Sequence, residues 1–377
     1  MASPTRLRAL FIIPSGDFLP SGIVRVRQFL PFLDRSGIVH TVVSYYSPRV
    51  DRFTATVRTR QWPAVLQRAI IMATMGVQSL FRWWARLRVL VAAPWVDVVF
   101  FQGVLPPVWY VKVLKRMNAR VVLDLDDAIF LGNPQRGAAV VPLMWQVIAG
   151  SHFIFEYAKS LGARVALVPS AVSLDRYRDV PANESASSQV VRIGWLGSQS
   201  TVRYLEQLVE PLRALAGQGH QIELLIAGVS ADAGLLPAFP GVTVTCTSTY
   251  RDEDIPSIVG RYDIGIMPLD DGPWERAKCA MKALIYMAGS RPAVCSRVGE
   301  NRYVIEDGRN GFLADSAAEW TTKLGQLIAD ASLRAEMGRR GRSTVEARYS
   351  AQVCFGLLME HVFLRAGANF GSAGTAN

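Results

Sequence analysis

The feature that most limits what this chain can fold into is an alternation that occurs twice. Short apolar runs rich in β-branched and aromatic residues recur, each followed by a stretch with helical spacing. In the first half, RALFIIP (8–14), IVHTVVSYY (38–46), VDVVFFQG (96–103), ARVVLDLDD (119–127) and ARVALVPSAV (163–172) read as strands. In the second half, VVRIGWLGS (190–198), IELLIAG (222–228), VTVTCTST (242–249), YDIGIMPL (262–269) and PAVCS (292–296) do the same. GRNGFLADS (308–316) reads as a loop, and two helices plus one more close the chain. Strands this apolar belong in parallel sheets covered by helices on both faces. The polar stretch RYRDVPANESASSQ (176–189) has no large aliphatic side chain and marks the boundary between two Rossmann-like units.

The expected division is 1–180, 181–350, and a last segment, 351–377, in which a helix packs back near the first domain before a disordered tail. Ligand chemistry in such sheets sits at the carboxyl ends of the strands, here facing a cleft between the domains. At 377 residues, two cores are expected rather than one.

Charge is unevenly spread. Residues 1–180 hold 22 Lys/Arg against 10 Asp/Glu, so the first half carries the whole basic excess of a chain with net charge +10. Much of it is Arg49, Arg52, Arg58, Arg60, Arg68, Arg82, Arg86 and Arg88, beside one acid, Asp51. The segment WPAVLQRAIIMATMGVQSLFRWWARLRVLV (62–91) joins apolar bulk, Trp83-Trp84 and arginines, with no acid between Arg52 and Val96. That combination suits an anionic membrane surface, with rings at headgroup depth and guanidinium groups on the lipid phosphates. No apolar run reaches 18 uncharged residues, so no spanning helix is expected. No nucleic-acid recognition motif accompanies the charge, and nucleic acid is not expected as a partner. Four cysteines (246, 279, 295 and 354) lack C-x-x-C spacing and read as reduced, buried thiols of a cytoplasmic chain. The N-terminal apolar run is too short for a signal peptide. The expected location is the inner face of the plasma membrane, held peripherally.

Three stretches of the second half carry possible chemistry. GWLGSQST follows a strand and precedes a helix, so Gly197, Ser198 and Thr201 can bring backbone N–H groups to a phosphate. An ordinary capped turn would look the same. ERAKCAMKALIYMAGS places Lys278 and Lys282 four residues apart at the expected start of a buried helix, where the helix dipole disfavours cations unless an anion is near. Glu275 is one possible partner; a diphosphate is another. VGENRYVIEDG sets Gly299, Glu300 and Asn301 at a helix start.

Taken in order, IGWLGSQSTVRYLEQL, YDIGIMPLDDGPWERAKCAMKALIYMA, RPAVCSRVGENRYVIEDGRNGFLA and MGRRGRSTVEARYS resemble the donor-binding domain of GT-B fold glycosyltransferases, specifically the retaining family 4 (glycosyl transferases group 1) proteins. SGIVRVRQFL, VVFFQ, VVLDLDDAIF and VALVPSAVSLDRY in the first half resemble it more loosely. The resemblance implies an α/β GT-B architecture and transfer of a sugar from a nucleotide-sugar to a glycan or lipid-linked acceptor, as in polysaccharide biosynthesis. It implies that Gly197, Ser198, Thr201, Gly299, Glu300 and Asn301 contact the donor. Lys282, with Lys278, would neutralise the leaving phosphate. His152 would orient the transferred sugar, and Gly22 and Arg25 would lie near the acceptor; Asp126 or Asp127, at the end of its strand, reads as a cleft residue or a cap. D-x-D at 124–126 is the metal signature of a different glycosyltransferase architecture, so no metal is expected, and no cofactor, the nucleotide-sugar being a substrate. Many relatives carry two glutamates eight residues apart where this chain has Ala277 and Ile285. An isoleucine cannot hold a ribose hydroxyl, so a non-catalytic GT-B protein acting as a binding module stays open as the second reading. A nicotinamide enzyme does not fit, because no G-x-G-x-x-G follows a strand.

Overall fold

A computed structural model describes residues 6–15, 20–59, 63–117, 119–180, 189–231 and 234–368. The chain divides into two compact units, 1–169 with 354–377, and 170–353. Residues 170–180 therefore belong with the second unit rather than the first. They are joined to it where Val172 bridges Ser350. Most of the polar stretch placed at the boundary lies outside the described residues, as does the tail beyond 368.

The first unit is a six-stranded parallel sheet in the order β2-β1-β3-β4-β5-β6. Its strands are β1 Arg8–Ile13, β2 Val39–Ser44, β3 Val98–Gln102, β4 Arg120–Leu125, β5 Gln146–Ala149 and β6 Val165–Leu167. β3 is buried along its whole length, as the run VVFFQ requires. The closing helix Ala351–Leu358 belongs to this unit from Cys354 onward: Phe355 packs on Phe29 and Phe32, and Phe363 on Phe11.

The second unit is another six-stranded parallel sheet, in the order β12-β11-β10-β7-β8-β9. Its strands are β7 Val190–Leu196, β8 Gln221–Ala227, β9 Thr243–Thr247, β10 Ile264–Met267, β11 Ala293–Ser296 and β12 Phe312–Ala314. β12 occupies part of the stretch read as a loop. Strand order reverses between β7 and β10, so the switch point of this doubly wound sheet, where ligands of such folds bind, lies beyond their carboxyl ends. Helices are started by side-chain caps the sequence supplies. Ser316 accepts from the N–H of Glu319, and Asp330 from that of Leu333.

Candidate functional site

β7 and β10 pair only at Ile193–Ile264 and Gly194–Gly265. Beyond that they part, and the Tyr286 hydroxyl stands in the gap: it accepts from the Leu196 N–H (3.1 Å) and donates to the Ile266 carbonyl (3.2 Å). Tyr286 belongs to the helix Met281–Ala288. Lys282 lies one turn earlier on that helix, on the same face. The switch point thus fixes the helix, and the helix fixes the lysine.

The helix begins later than its sequence suggests. Ala280 sits at φ 53°, a left-handed conformation, and caps a helix whose first residue is Met281. Lys278 lies in the loop before it, so of the two lysines expected at the start of the helix only Lys282 is on it. Lys278 stacks instead on Trp274, at 5.7 Å from the ring centre.

Lys282 lies over the ring of Trp195 on β7, 4.6 Å from its centre. Trp195 is fully buried. Burial pushes the Lys282 ammonium down to about 7, with Lys278 adding to the shift. Glu275 is not the partner of either lysine. Its buried carboxylate accepts from the Tyr204 hydroxyl and from Arg203 (3.2 Å). Among the described residues no carboxylate pairs with Lys278 or Lys282. Nearby cations differ: Arg276 takes Asp271 at 2.6 Å, and Lys323 takes Asp307 at 3.0 Å.

The turn after β7 is closed on itself. Thr201 Oγ1 accepts from the Ser198 N–H (3.1 Å), and Ser198 Oγ lies 2.9 Å from that of Ser200, on an exposed loop. Gly197 is required because a Cβ there would stand 2.0 Å from the Trp195 ring. Gly299 (φ 52°) is required too, since a Cβ would meet the Arg276 carbonyl at 2.4 Å. Glu300 and Asn301 are almost wholly buried, and Asn301 Nδ2 donates to the Ser296 carbonyl at 2.9 Å. These three residues brace the loop after β11. Ala277 and Ile285, at the positions where glutamates were awaited, are both buried.

In the first unit, Gly22 falls inside the helix Pro20–Arg25. Arg25 is neither solvated nor open to a ligand. It forms a buried two-pronged pair with Asp124 and donates to the Val168 carbonyl at 2.8 Å. Asp126 follows β4 and accepts from Gln102 at 3.1 Å. Burial pushes its carboxyl up to about 7, Asp127 and Asp124 adding to the effect and Arg25 opposing it. His152 is the first residue of the helix His152–Ser160, whose cap is Ser151. Among the described residues no cluster of His, Cys, Asp or Glu could hold a metal ion. Trp195 and Tyr286 were not singled out in the sequence as site residues. The signals were present: a tryptophan two residues before the glycine turn, and a tyrosine one helical turn after Lys282.

Two six-stranded parallel sheets with flanking helices, the second with its switch point at β7 and β10, make this a GT-B fold α/β protein. Residues 189–330, within the second unit, match the family model described as Glycosyl transferases group 1. Solved structures agree in fold. HepE of Anabaena, in complex with UDP-glucose, is 15% identical with a TM-score of 0.66, over 94% of this chain and 99% of that one. Sucrose-phosphate synthase of Thermosynechococcus elongatus is 13% identical with a TM-score of 0.63, over 97% and 100%. The lipopolysaccharide outer core galactosyltransferase WaaB is 14% identical with a TM-score of 0.64, over 95% and 100%. No curated protein matches the sequence.

Proposed function

We propose that this chain moves a sugar from a nucleotide-sugar to a glycan or lipid-linked acceptor, retaining the anomeric configuration and needing no metal. The second unit takes the donor and the first the acceptor. The observation that carries the reading is Lys282 over Trp195 of the switch-point strand β7, with Lys278 in the loop before its helix, neither lysine having a carboxylate partner among the described residues. A diphosphate supplies the missing negative charge, and the lysines then stabilise the charge that grows on it as the glycosidic bond breaks. UDP in complexes of HepE, a protein of the same fold, supports a nucleoside diphosphate as the ligand. Retention follows from the family resemblance. A nucleotide-sugar that raises the melting temperature, together with transfer or donor hydrolysis lost in Lys282→Ala, supports this reading. No response to UDP-, GDP- or ADP-sugars ends it.

A second reading, a GT-B protein that binds without catalysing, rests on buried Ile285 and Ala277. It is favoured if a nucleotide-sugar stabilises the chain but is neither hydrolysed nor transferred.

The first unit would dock on an anionic membrane through the helix Ala64–Ala92. Ala85 and Val89 are buried, while Met72, Met75, Leu80, Trp83, Trp84, Leu87 and Val91 are exposed on its other side. Arg88 lies over Trp84 at 4.6 Å. No helix among the described residues is long and apolar enough to cross a membrane. The reading is of a helix lying in the interface, at the cytoplasmic face.

A further inference from the structure

The helix Ala64–Ala92 holds two kinds of arginine. Arg68 and Arg88 are exposed, beside its exposed apolar side chains. Arg82 and Arg86, one turn apart, are half-buried and reach towards the sheet. Arg86 Nε donates to the hydroxyl of buried Tyr45 at 2.8 Å, and its guanidinium lies 5.6 Å from the centre of that ring and 5.2 Å from that of Trp83. Arg82 lies over the Tyr46 ring at 5.8 Å. Tyr45 feels the charge of both guanidinium groups.

No anion answers them. Asp51 is the one acid between Arg49 and Val96, and it accepts from Gln78 at 2.7 Å. Among the described residues neither Arg82 nor Arg86 has a carboxylate partner. The first unit treats Arg25 differently, giving it Asp124. Two like charges held close in partly desolvated surroundings repel, and the tyrosine faces offset only part of that cost.

Their position gives the pair its meaning. Tyr45 and Tyr46 directly follow β2, and their N–H groups donate to the carbonyls of Ile13 and Pro14 at the end of β1, at 2.8 and 2.7 Å. Trp109, stacked on Trp83 at 5.9 Å, lies in the first turn of the helix Val108–Arg116, which follows β3. The arginines therefore stand at the carboxyl edge of the sheet, beside the switch point between β1 and β3. From there the helix Ala64–Ala92 runs down past the strands and ends shortly before β3 begins. Its earlier residues stand beyond that edge. Exposed Met75 and Met72 lie about 10 to 15 Å further out than Arg82 along the helix axis. The order along the helix is an apolar overhang, two unpaired arginines, then the carboxyl ends of the strands.

A sugar carried on a lipid phosphate has its parts in that same order: apolar tail, phosphate, sugar. We propose that Arg82 and Arg86 form a phosphate-binding site of the first unit, which takes the phosphoryl group joining lipid to sugar in a lipid-linked acceptor. The proposal rests on the transfer reading above and narrows its acceptor from any glycan to one carried on a lipid phosphate. Stacking on tyrosine uses the face of a guanidinium group and leaves N–H donors at its edge, which match phosphate oxygens in pairs. A phosphate held there sets the distance from the bilayer to the sugar, and brings the hydroxyl to be extended over the carboxyl ends of the strands. A phospholipid headgroup offers the same phosphate without the sugar, and the test separates the two.

The experiment titrates the full chain, with UDP in excess to fill the second unit, with farnesyl diphosphate and with farnesol, and sediments it with phosphatidylglycerol vesicles. Arg82→Gln with Arg86→Gln should weaken farnesyl diphosphate binding at least about tenfold. Vesicle binding should fall by a smaller factor, because Arg68 and Arg88 remain. Arg82→Lys with Arg86→Lys keeps the charge and loses the fork, and should fall between the parent and the glutamine variant. Farnesol, which has no phosphate, should not distinguish variant from parent. Equal farnesyl diphosphate affinity in parent and glutamine variant, or none in the parent, overturns the site. A loss of vesicle binding as large as the loss of farnesyl diphosphate binding assigns the arginines to phospholipid headgroups and also overturns it. If the double variant does not fold, because Arg86 holds the Tyr45 hydroxyl, Arg82→Gln alone decides by the same comparison. Failure of the transfer reading shows separately, as a missing melting response to nucleotide-sugars.

Discussion

The Tyr286 hydroxyl takes the Leu196 N–H at 3.1 Å, in place of the ladder partner that β10 no longer offers. Its second bond, to Ile266, ties the other strand to the same oxygen. Tyr286→Phe removes one oxygen and leaves a buried N–H and a buried carbonyl unsatisfied. The expected loss is about 1–3 kcal/mol in denaturant unfolding. Because Lys282 rides on the same helix, donor affinity should fall with it. Unchanged affinity would show that the wedge serves the sheet alone.

Lys282→Met keeps the length of the side chain and removes the amine. Transfer should fall about 10²- to 10³-fold, the range seen when preorganised stabilisation of a developing anion is lost. Stability should hold or rise, since no carboxylate is left unpaired by the change. A drop in melting temperature equal to that of an ordinary core truncation would mark the lysine as structural. Lys278→Ala, on a loop and half-exposed, should cost less activity than Lys282→Met.

Gly197→Ala and Gly217→Ala make a matched pair. At Gly197 the added methyl meets the Trp195 ring, which has nowhere to go in a filled core. A loss of about 1–3 kcal/mol is expected, with weakened donor binding because Trp195 carries Lys282. At Gly217 nothing lies within 4 Å of the new atom. That change should stay within about 0.5 kcal/mol. Equal melting temperatures for the two variants would refute the packing account.

Asp126 gives the first unit a pH dependence. Its carboxyl titrates near 7 in the folded chain, and near 4 in an unfolded one, as an ordinary carboxylate does. Between those values the folded state holds the extra proton, so this group's contribution to stability falls as pH rises from 4 to 7 and is level above. Asp126→Asn keeps an acceptor for Gln102 and removes the titration. Its melting temperature relative to the parent should therefore climb from pH 5 to pH 8. A pH-independent difference would rule out a raised carboxyl at this position.

How much of this was legible in the sequence depended on range. Long β-branched runs such as VVRIGWLGS announced their strands, because side chains buried on both faces leave an unbroken apolar signal. β5 and β12 escaped notice, having only four and three residues. The run from Ala277 to Met287 contains no Gly or Pro, so nothing in it signalled that Ala280 would adopt a left-handed conformation and leave Lys278 outside the helix. The pairings that organise the site join distant positions, Arg25 with Asp124 and Tyr204 with Glu275. Local spacing carries no record of them. Arg25 shows the consequence: as a residue it suggested an open cation, and only the strand order brings it the carboxylate that occupies it.

The helix Ala64–Ala92 offers the last test. Its exposed side sets Leu80, Trp84 and Leu87 beside Arg88, and Arg68 lies exposed further along it. Each basic side chain near an anionic bilayer contributes about 1 kcal/mol, and the apolar residues add to it when their surface leaves water. Arg68→Glu with Arg88→Glu should lower sedimentation with phosphatidylglycerol vesicles at least about tenfold, and added salt should mimic the change. Leu80→Ser with Leu87→Ser should weaken binding in a way salt does not. Neither pair should disturb folding, since all four side chains are already exposed. Vesicle binding equal to that of the parent in both double variants would move the docking surface elsewhere. Transfer to a lipid-linked acceptor should fall in parallel with vesicle binding, while hydrolysis of a soluble donor, which needs no membrane, should not.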